Sequence, residues 1–275
     1  MNKYITILGN LDRRIIFLLI GLAVLIPLIK LNVFFRIVRG KENKARFSER
    51  YGITSLERPE GNVVWIHAAS IGEFKSADLL INLLYKNYTI LVTTTTLSAA
   101  NFASKNYAHK IIHQFAPLDI SLWVEKFLNK WRPKLVIWIE SDLWPITMEL
   151  LKQKSIKSLL VNVRMSPQSY KKWKLIKFFY KQMTECFSEI FAQSQLDRER
   201  IKTLTNRNIK FIGNLKLSSG SNIQQISLDK KLINFQKGKT LMLASTHKNE
   251  EFKFYHTVAS ILIIIGLFLS NKKIN

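Results

Sequence analysis

The chain has 275 residues, 47% of them hydrophobic, with 42 Lys and Arg against 19 Asp and Glu, for a formal charge of +23. Such a length and apolar fraction can bury a sizeable core in one large or two ordinary domains, and the charge points to acidic partners: nucleic acid, anionic lipid or a phosphorylated substrate. One cysteine, Cys186, excludes an internal disulfide and fits a reducing compartment, while the absence of CxxC, HExxH or a Cys/His cluster argues against a zinc site.

The first element in chain order is apolar. Residues Ile15 to Phe35, IIFLLIGLAVLIPLIKLNVFF, carry one charge, Lys30. A transmembrane helix needs about 20 apolar residues, so the run reads as an N-terminal anchor if Lys30 snorkels to the surface. No small-x-small cleavage site follows, which argues against a signal peptide. The basic stretch RIVRGKENKARF after it favours leaving the rest of the chain in the cytoplasm. A helix lying in the membrane interface is the alternative.

Beyond the anchor, short β-rich runs alternate with helical patterns. The runs Val63–His67, Thr89–Thr94, Lys110–Phe115 and Leu135–Ile139 come first; Leu159–Asn162, Glu189–Gln193, Lys210–Ile212 and Leu241–Ala244 follow. Helical periodicity covers Phe74–Tyr85, Ile120–Lys130, Pro145–Gln153 and Ser194–Thr203. This alternation predicts βαβ units, hence an α/β fold with a parallel sheet covered on both faces. Ligands bind such sheets at the carboxyl ends of the strands. HAASIGE, TTTTLSAA and ESDLWP all fall there. Neither GxGxxG nor GxxxxGK[ST] occurs, so a nucleotide would have to be held differently. Residues 218–238 read as a linker.

Two acids stand at those strand ends. Ser70-Ile71-Gly72-Glu73 is a capping box, in which Ser70 caps the helix and Glu73 returns to the Ser70 amide. Glu73 also sits where a general base could take a proton from an attacking hydroxyl, with Gly72 leaving room for a substrate. Glu140 ends an otherwise apolar strand, and a charge there needs a partner or a task. Asp142 reads as a helix cap. A third strand end, FIGNLK, carries Lys216, which is either a surface lysine or a cation directed at the same region.

The stretch Lys152–Lys181 holds nine cations and no acid, interleaved with Tyr170, Trp173, Phe178, Phe179 and Tyr180. It reads either as an amphipathic helix with a solvated lysine face or as a surface for anionic headgroups. Charge alone would also permit RNA; the nearby anchor favours lipid. A membrane-anchored basic binding module for anionic lipid or RNA, without catalysis, is therefore the alternative to an enzyme.

In sequence order SERYG, IHAASIGE, TTTT, APLD, PKLVIWIESDLWP, NVRMSPQSY, AQSQLDRER, GNLK and STHKNEE span most of residues 48 to 251. The set resembles the bacterial 3-deoxy-D-manno-octulosonic acid (Kdo) transferase family, which attaches Kdo to the lipid A precursor, lipid IVA, in lipopolysaccharide biosynthesis. The resemblance implies a GT-B glycosyltransferase: two Rossmann-like domains across a cleft, with an N-terminal membrane helix. It implies CMP-Kdo as donor, the lipid A precursor as acceptor and a place on the cytoplasmic side of the inner membrane. No cofactor, metal or nucleic-acid partner is expected. By motif, Glu73 is the proton acceptor, and Glu140 and Lys216 are transition-state stabilisers. The family commonly has Glu where Asp142 stands and Leu where Met165 stands.

The domains expected are residues 1–46 as anchor and basic flank, 47–217 as acceptor-binding domain, 218–238 as linker and 239–275 as the start of a CMP-sugar domain. After STHKNEEF the chain departs from the family pattern and runs KFYHTVASILIIIGLFLSNKKIN. No CMP-binding segment is recognised there. The expectation from sequence is a truncated second domain and a chain that does not transfer Kdo.

Overall fold

A computed structural model describes residues 13–140 and 142–215, with backbone alone for 13–25. The chain divides into two units, Met1–Ser48 and Glu49–Asn275.

In the first unit, helix α1 covers Arg13–Val38, with Pro27 inside it. From Ile26 onward, Leu28, Leu31, Phe34, Phe35 and Val38 are exposed and recur at helical spacing, while Val33 is buried. Arg36 pairs with Glu42 at 3.0 Å just past the helix end. The transmembrane anchor expected at Ile15–Phe35 gains no support here: among the described residues no helix is long and apolar enough to cross a membrane.

The second unit is an α/β fold built on a parallel sheet of seven strands in the order β3-β2-β1-β4-β5-β6-β7, which is Rossmann-like. The strands are β1 Val63–His67, β2 Thr89–Thr94, β3 Ile112–Phe115, β4 Leu135–Ile139, β5 Ser158–Val163, β6 Phe187–Ala192 and β7 Lys210–Phe211. Helices α2 Ile71–Leu84, α3 Leu97–Tyr107, α4 Ser121–Trp131 and α5 Pro145–Gln153 follow β1 to β4 in turn. Next come α6 Pro167–Leu175, α7 Lys177–Thr184 and α8 Gln195–Thr205. All five residues of β1 are buried, as expected of a central strand covered on both faces. Trp65, Val136, Trp138 and Leu160 join the core on one face, with α4, α5, α7 and α8. Val64, Ile66, Ile137 and Ile139 join the core on the other, against α2 and α3.

Lys152–Lys181 is not one amphipathic helix. It contains the end of α5, all of β5, all of α6 and the first five residues of α7. The helical path breaks at Ile176, whose backbone (φ −122°, ψ 43°) ends α6 and starts α7. The expected strand Leu241–Ala244, the linker 218–238 and the segment 239–275 lie outside the described residues.

SERYG ties the rim of the sheet together. The Phe115 N–H donates to Glu49 at 2.7 Å. Arg50 is buried and donates to the carbonyls of Ala116 at 3.2 Å and Thr95 at 2.6 Å, with its guanidinium 4.7 Å from the centre of the Phe115 ring. Gly52 has φ +69°, and a Cβ there would lie 2.1 Å from the Trp123 carbonyl oxygen. No side chain fits, which accounts for glycine at this place in the motif.

Candidate active site

In the strand order, β1 neighbours β2 on one side and β4 on the other. The strands all run parallel, but successive strands are added outward in one direction up to β3 and in the opposite direction from β4, and such a switch point between β1 and β4 leaves a crevice at the carboxyl ends of the strands. Glu73 lies in the first turn of α2, directly after β1; Glu140 follows the last residue of β4. The two sequence-predicted acids therefore flank one crevice. Lys216 lies outside the described residues; Leu215, just before it, is described and buried.

Glu73 takes part in a cap, but not in the way the sequence pattern suggests. Ser70 Oγ accepts from the Glu73 N–H at 3.3 Å. The Glu73 carboxylate returns one residue further than expected: Oε2 accepts from the Ala69 N–H at 2.6 Å, and Oε1 accepts from the Ser70 hydroxyl at 3.2 Å. Burial, then the negative charge of Glu140, push its pKa up from 4.5 to about 8; Asp142 adds to the rise, and the Ala69 and Ser70 hydrogen bonds oppose it. A carboxyl poised near neutral pH by desolvation and like charge suits a proton acceptor.

Glu140 has φ +65°, an uncommon conformation for a non-glycine residue that costs about 1–3 kcal/mol and collects at functional sites. Its N–H donates to the Val161 carbonyl at 2.9 Å, so β5 holds the turn in place. Asp142 is not the cap of α5. That helix start is held instead by Asp119 of the APLD motif, which accepts from the Ile146 and Thr147 amides at 3.0 and 2.8 Å and from the Thr147 hydroxyl at 2.6 Å. The Asp142 carbonyl accepts from the Trp138 indole at 2.9 Å.

The core beneath the rim is aromatic. His67, the last residue of β1, stacks on Trp138 with ring centroids 4.0 Å apart and meets Trp144 edge-on at 4.7 Å. Its Nδ1 lies 2.9 Å from the Thr93 hydroxyl, which also accepts from Trp65 at 2.8 Å. Thr93 and Thr95 of the TTTT motif thus serve the rim: the Thr95 hydroxyl donates to the Ala69 carbonyl at 2.8 Å, steadying the residue whose N–H holds Glu73. NVRMSPQSY and AQSQLDRER are clasped likewise. The Met165 N–H donates to Asp197 at 2.7 Å, and Arg200 donates to the Met165 carbonyl at 2.7 Å. Sequence reasoning singled out neither Asp119 nor Asn162. Asn162 is wholly buried in β5, and an amide within the apolar run LLVNV was the signal available for it.

Residues 45–219 match the family model described as 3-deoxy-D-manno-octulosonic-acid transferase. A 3-deoxy-D-manno-octulosonic acid transferase of Rickettsia bellii is 35% identical over 82% of this chain and 55% of its own length. One from Haemophilus influenzae is 28% identical over the same shares, 82% and 55%. A probable mitochondrial one from Arabidopsis thaliana is 40% identical over 54% of this chain and 34% of its own length. The chain thus spans about half the length of the bacterial relatives.

Proposed function

This chain belongs to the 3-deoxy-D-manno-octulosonic acid transferase family, and on that premise we propose that its crevice activates the acceptor in a Kdo transfer from CMP-Kdo to the lipid A precursor. The observation that carries the proposal is Glu73, a half-buried carboxyl raised to about 8 beside Glu140 at the sheet's switch point. In its ionised form it takes the proton of an acceptor hydroxyl as that oxygen bonds to the anomeric carbon of Kdo. The bond from that carbon to the CMP phosphate breaks, and CMP leaves with the electron pair. Glu140 and Lys216 are the proposed transition-state stabilisers. The fold, on this reading, is the acceptor half of a GT-B enzyme.

The protein is proposed to work on the cytoplasmic face of the inner membrane. At the α6–α7 edge, Leu175 is 86% and Phe178 69% exposed, beside the exposed Lys171, Lys172, Lys174 and Lys181. Apolar side chains ringed by lysines suit an anionic lipid surface. RNA would use the lysines but leave Leu175 and Phe178 without a role.

The test is transfer itself. The chain in a version that carries a complete CMP-sugar domain, in detergent with CMP-Kdo and lipid A precursor, is assayed for Kdo-bearing product over pH 6 to 9. The reading expects product at a rate that climbs as pH rises through about 8, as Glu73 ionises, and that Glu73→Gln abolishes. Product formed equally well by Glu73→Gln would remove Glu73 as the base; no product from that two-domain version with Glu73 in place would leave transfer itself without support.

A further inference from the structure

Asn162 interrupts a strand in three ways at once. It is fully buried, its backbone is left-handed at φ +58°, and the β5–β6 register shifts between Leu160 and Val163. Such a bulge redirects a side chain, and bulges gather beside active sites. Asparagine tolerates the left-handed region better than other non-glycine residues.

The redirected amide has two different partners. Its Oδ1 accepts from the Leu215 N–H at 3.2 Å. Its Nδ2 donates to Ser76 Oγ at 3.2 Å. Ser76 in turn donates to the Gly72 carbonyl at 3.4 Å, one residue before Glu73. The neighbouring Val161 carbonyl receives the Glu140 N–H at 2.9 Å. One bulge thus reaches, through Ser76, the first turn of the helix bearing Glu73, and touches the turn bearing Glu140 and the residue that precedes Lys216.

We propose that Asn162 is a positioning residue: its amide fixes the first turn of α2 and the 213–215 loop relative to Glu140. The proposal rests on the transfer reading for its catalytic consequence, but not for the brace. Only a carboxamide meets the pattern. The Leu215 N–H needs an acceptor, while Ser76, already donating to Gly72, needs a donor. Aspartate would offer acceptors alone and add a negative charge near Glu73 and Glu140. Glycine would keep the left-handed backbone at no steric cost and remove only the amide.

The decisive variant is therefore Asn162→Gly in the full chain, with two readouts. The first is the titration midpoint of the Glu73 carboxyl by 13C NMR, with Glu73→Gln identifying the resonance. Glu140 and Asp142 are the charges that raise it, together with burial, so a loosened first turn that admits water should bring the midpoint down by about one pH unit or more. The second is transfer kinetics, where misplacement of the base lowers kcat by about 10- to 100-fold and leaves acceptor KM within about threefold. A midpoint that stays put while the melting temperature falls would overturn the proposal and make Asn162 a packing residue. Should Asn162→Gly fail to fold, Ser76→Ala decides, because it severs the link to Gly72 and leaves the bulge intact; the same downward movement is expected, and no movement overturns it. A wild-type chain without transfer activity counts against the transfer reading alone, and the titration still decides for or against the brace.

Discussion

At the β1–β4 rim, Glu73 is kept from water and set against Glu140, so a carboxyl of ordinary pKa 4.5 is pushed up to about 8. At the α6–α7 edge, Lys171, Lys172, Lys174 and Lys181 stand in solvent around Leu175 and Phe178, which are exposed too. The rim draws its properties from burial, where the Glu73 carboxylate and the turns around it are placed by specific hydrogen bonds. The edge draws its own from exposure, where charge acts by number rather than geometry. The rim should therefore be intolerant of single substitutions and insensitive to salt, and the edge the reverse.

The contrast is broken most directly at Glu73. Glu73→Gln keeps the reach to the Ala69 N–H but cannot take a proton, so transfer should fall by roughly 10²- to 10⁴-fold. The same variant has a stability signature. A raised folded-state pKa contributes stability that is complete below about 4.5 and is lost as pH rises through about 8. Thermal melts between pH 5 and 9 should show the wild type steadily losing stability relative to Glu73→Gln up to about pH 8 and no further loss above it. Parallel melting curves would mean the carboxyl is not held in a perturbed environment.

The edge should give the next largest effect, and only cumulatively. Replacing Lys171, Lys172 and Lys174 together with Gln should weaken binding to anionic vesicles by about 100-fold at low salt, at about 1 kcal/mol per lysine. The melting temperature should not move. Binding that ignores both the substitutions and added salt would remove this edge as an anionic-lipid surface.

Asp119→Ala sharpens the comparison within the rim, because Asp119 is a buried carboxylate with a purely structural task. Loss of three hydrogen bonds at the start of α5 should cost about 2–3 kcal/mol by chemical denaturation. A cost below about 0.5 kcal/mol would mean that Pro145 at the helix start suffices alone. The smallest effect belongs to Phe178→Ser, expected within about 0.5 kcal/mol of wild-type stability because its ring is mostly in water already. Vesicle binding should nevertheless weaken, and unchanged binding would remove Phe178 from the membrane contact.

Much of the sheet is legible in the sequence because its strands are short apolar runs bounded by turn residues. Val63–His67, Thr89–Thr94 and Leu135–Ile139 fall where the pattern puts them, as does helix Pro145–Gln153. Helix α3, LSAANFASKNY, escaped because three alanines make up its buried face, leaving little apolar periodicity to read. The lysine-rich stretch misled for another reason: charge density follows the chain and says nothing of the strand β5 running through it. The break at Ile176 carries neither Gly nor Pro, so no local signal marked it. At the site, Glu73 and Glu140 stand out as acids at the mouths of apolar strands. Asn162 does not, since its bulge exists only in register with β6, and Asp119 acts on amides 27 and 28 residues away. Contacts of that separation leave no periodic trace.

The stacking of His67 on Trp138 gives the molecule an optical property. Indole emission responds to an imidazole in ring contact, and these two rings belong to adjacent strands, with centroids 4.0 Å apart. Trp65 and Trp144 lie 5.8 and 5.6 Å from the same indole, near enough to pass excitation to it. The three indoles are close enough to exchange excitation, so the protein's own fluorescence is expected to report, without a label, any movement that lifts β1 from β4 at the carboxyl rim.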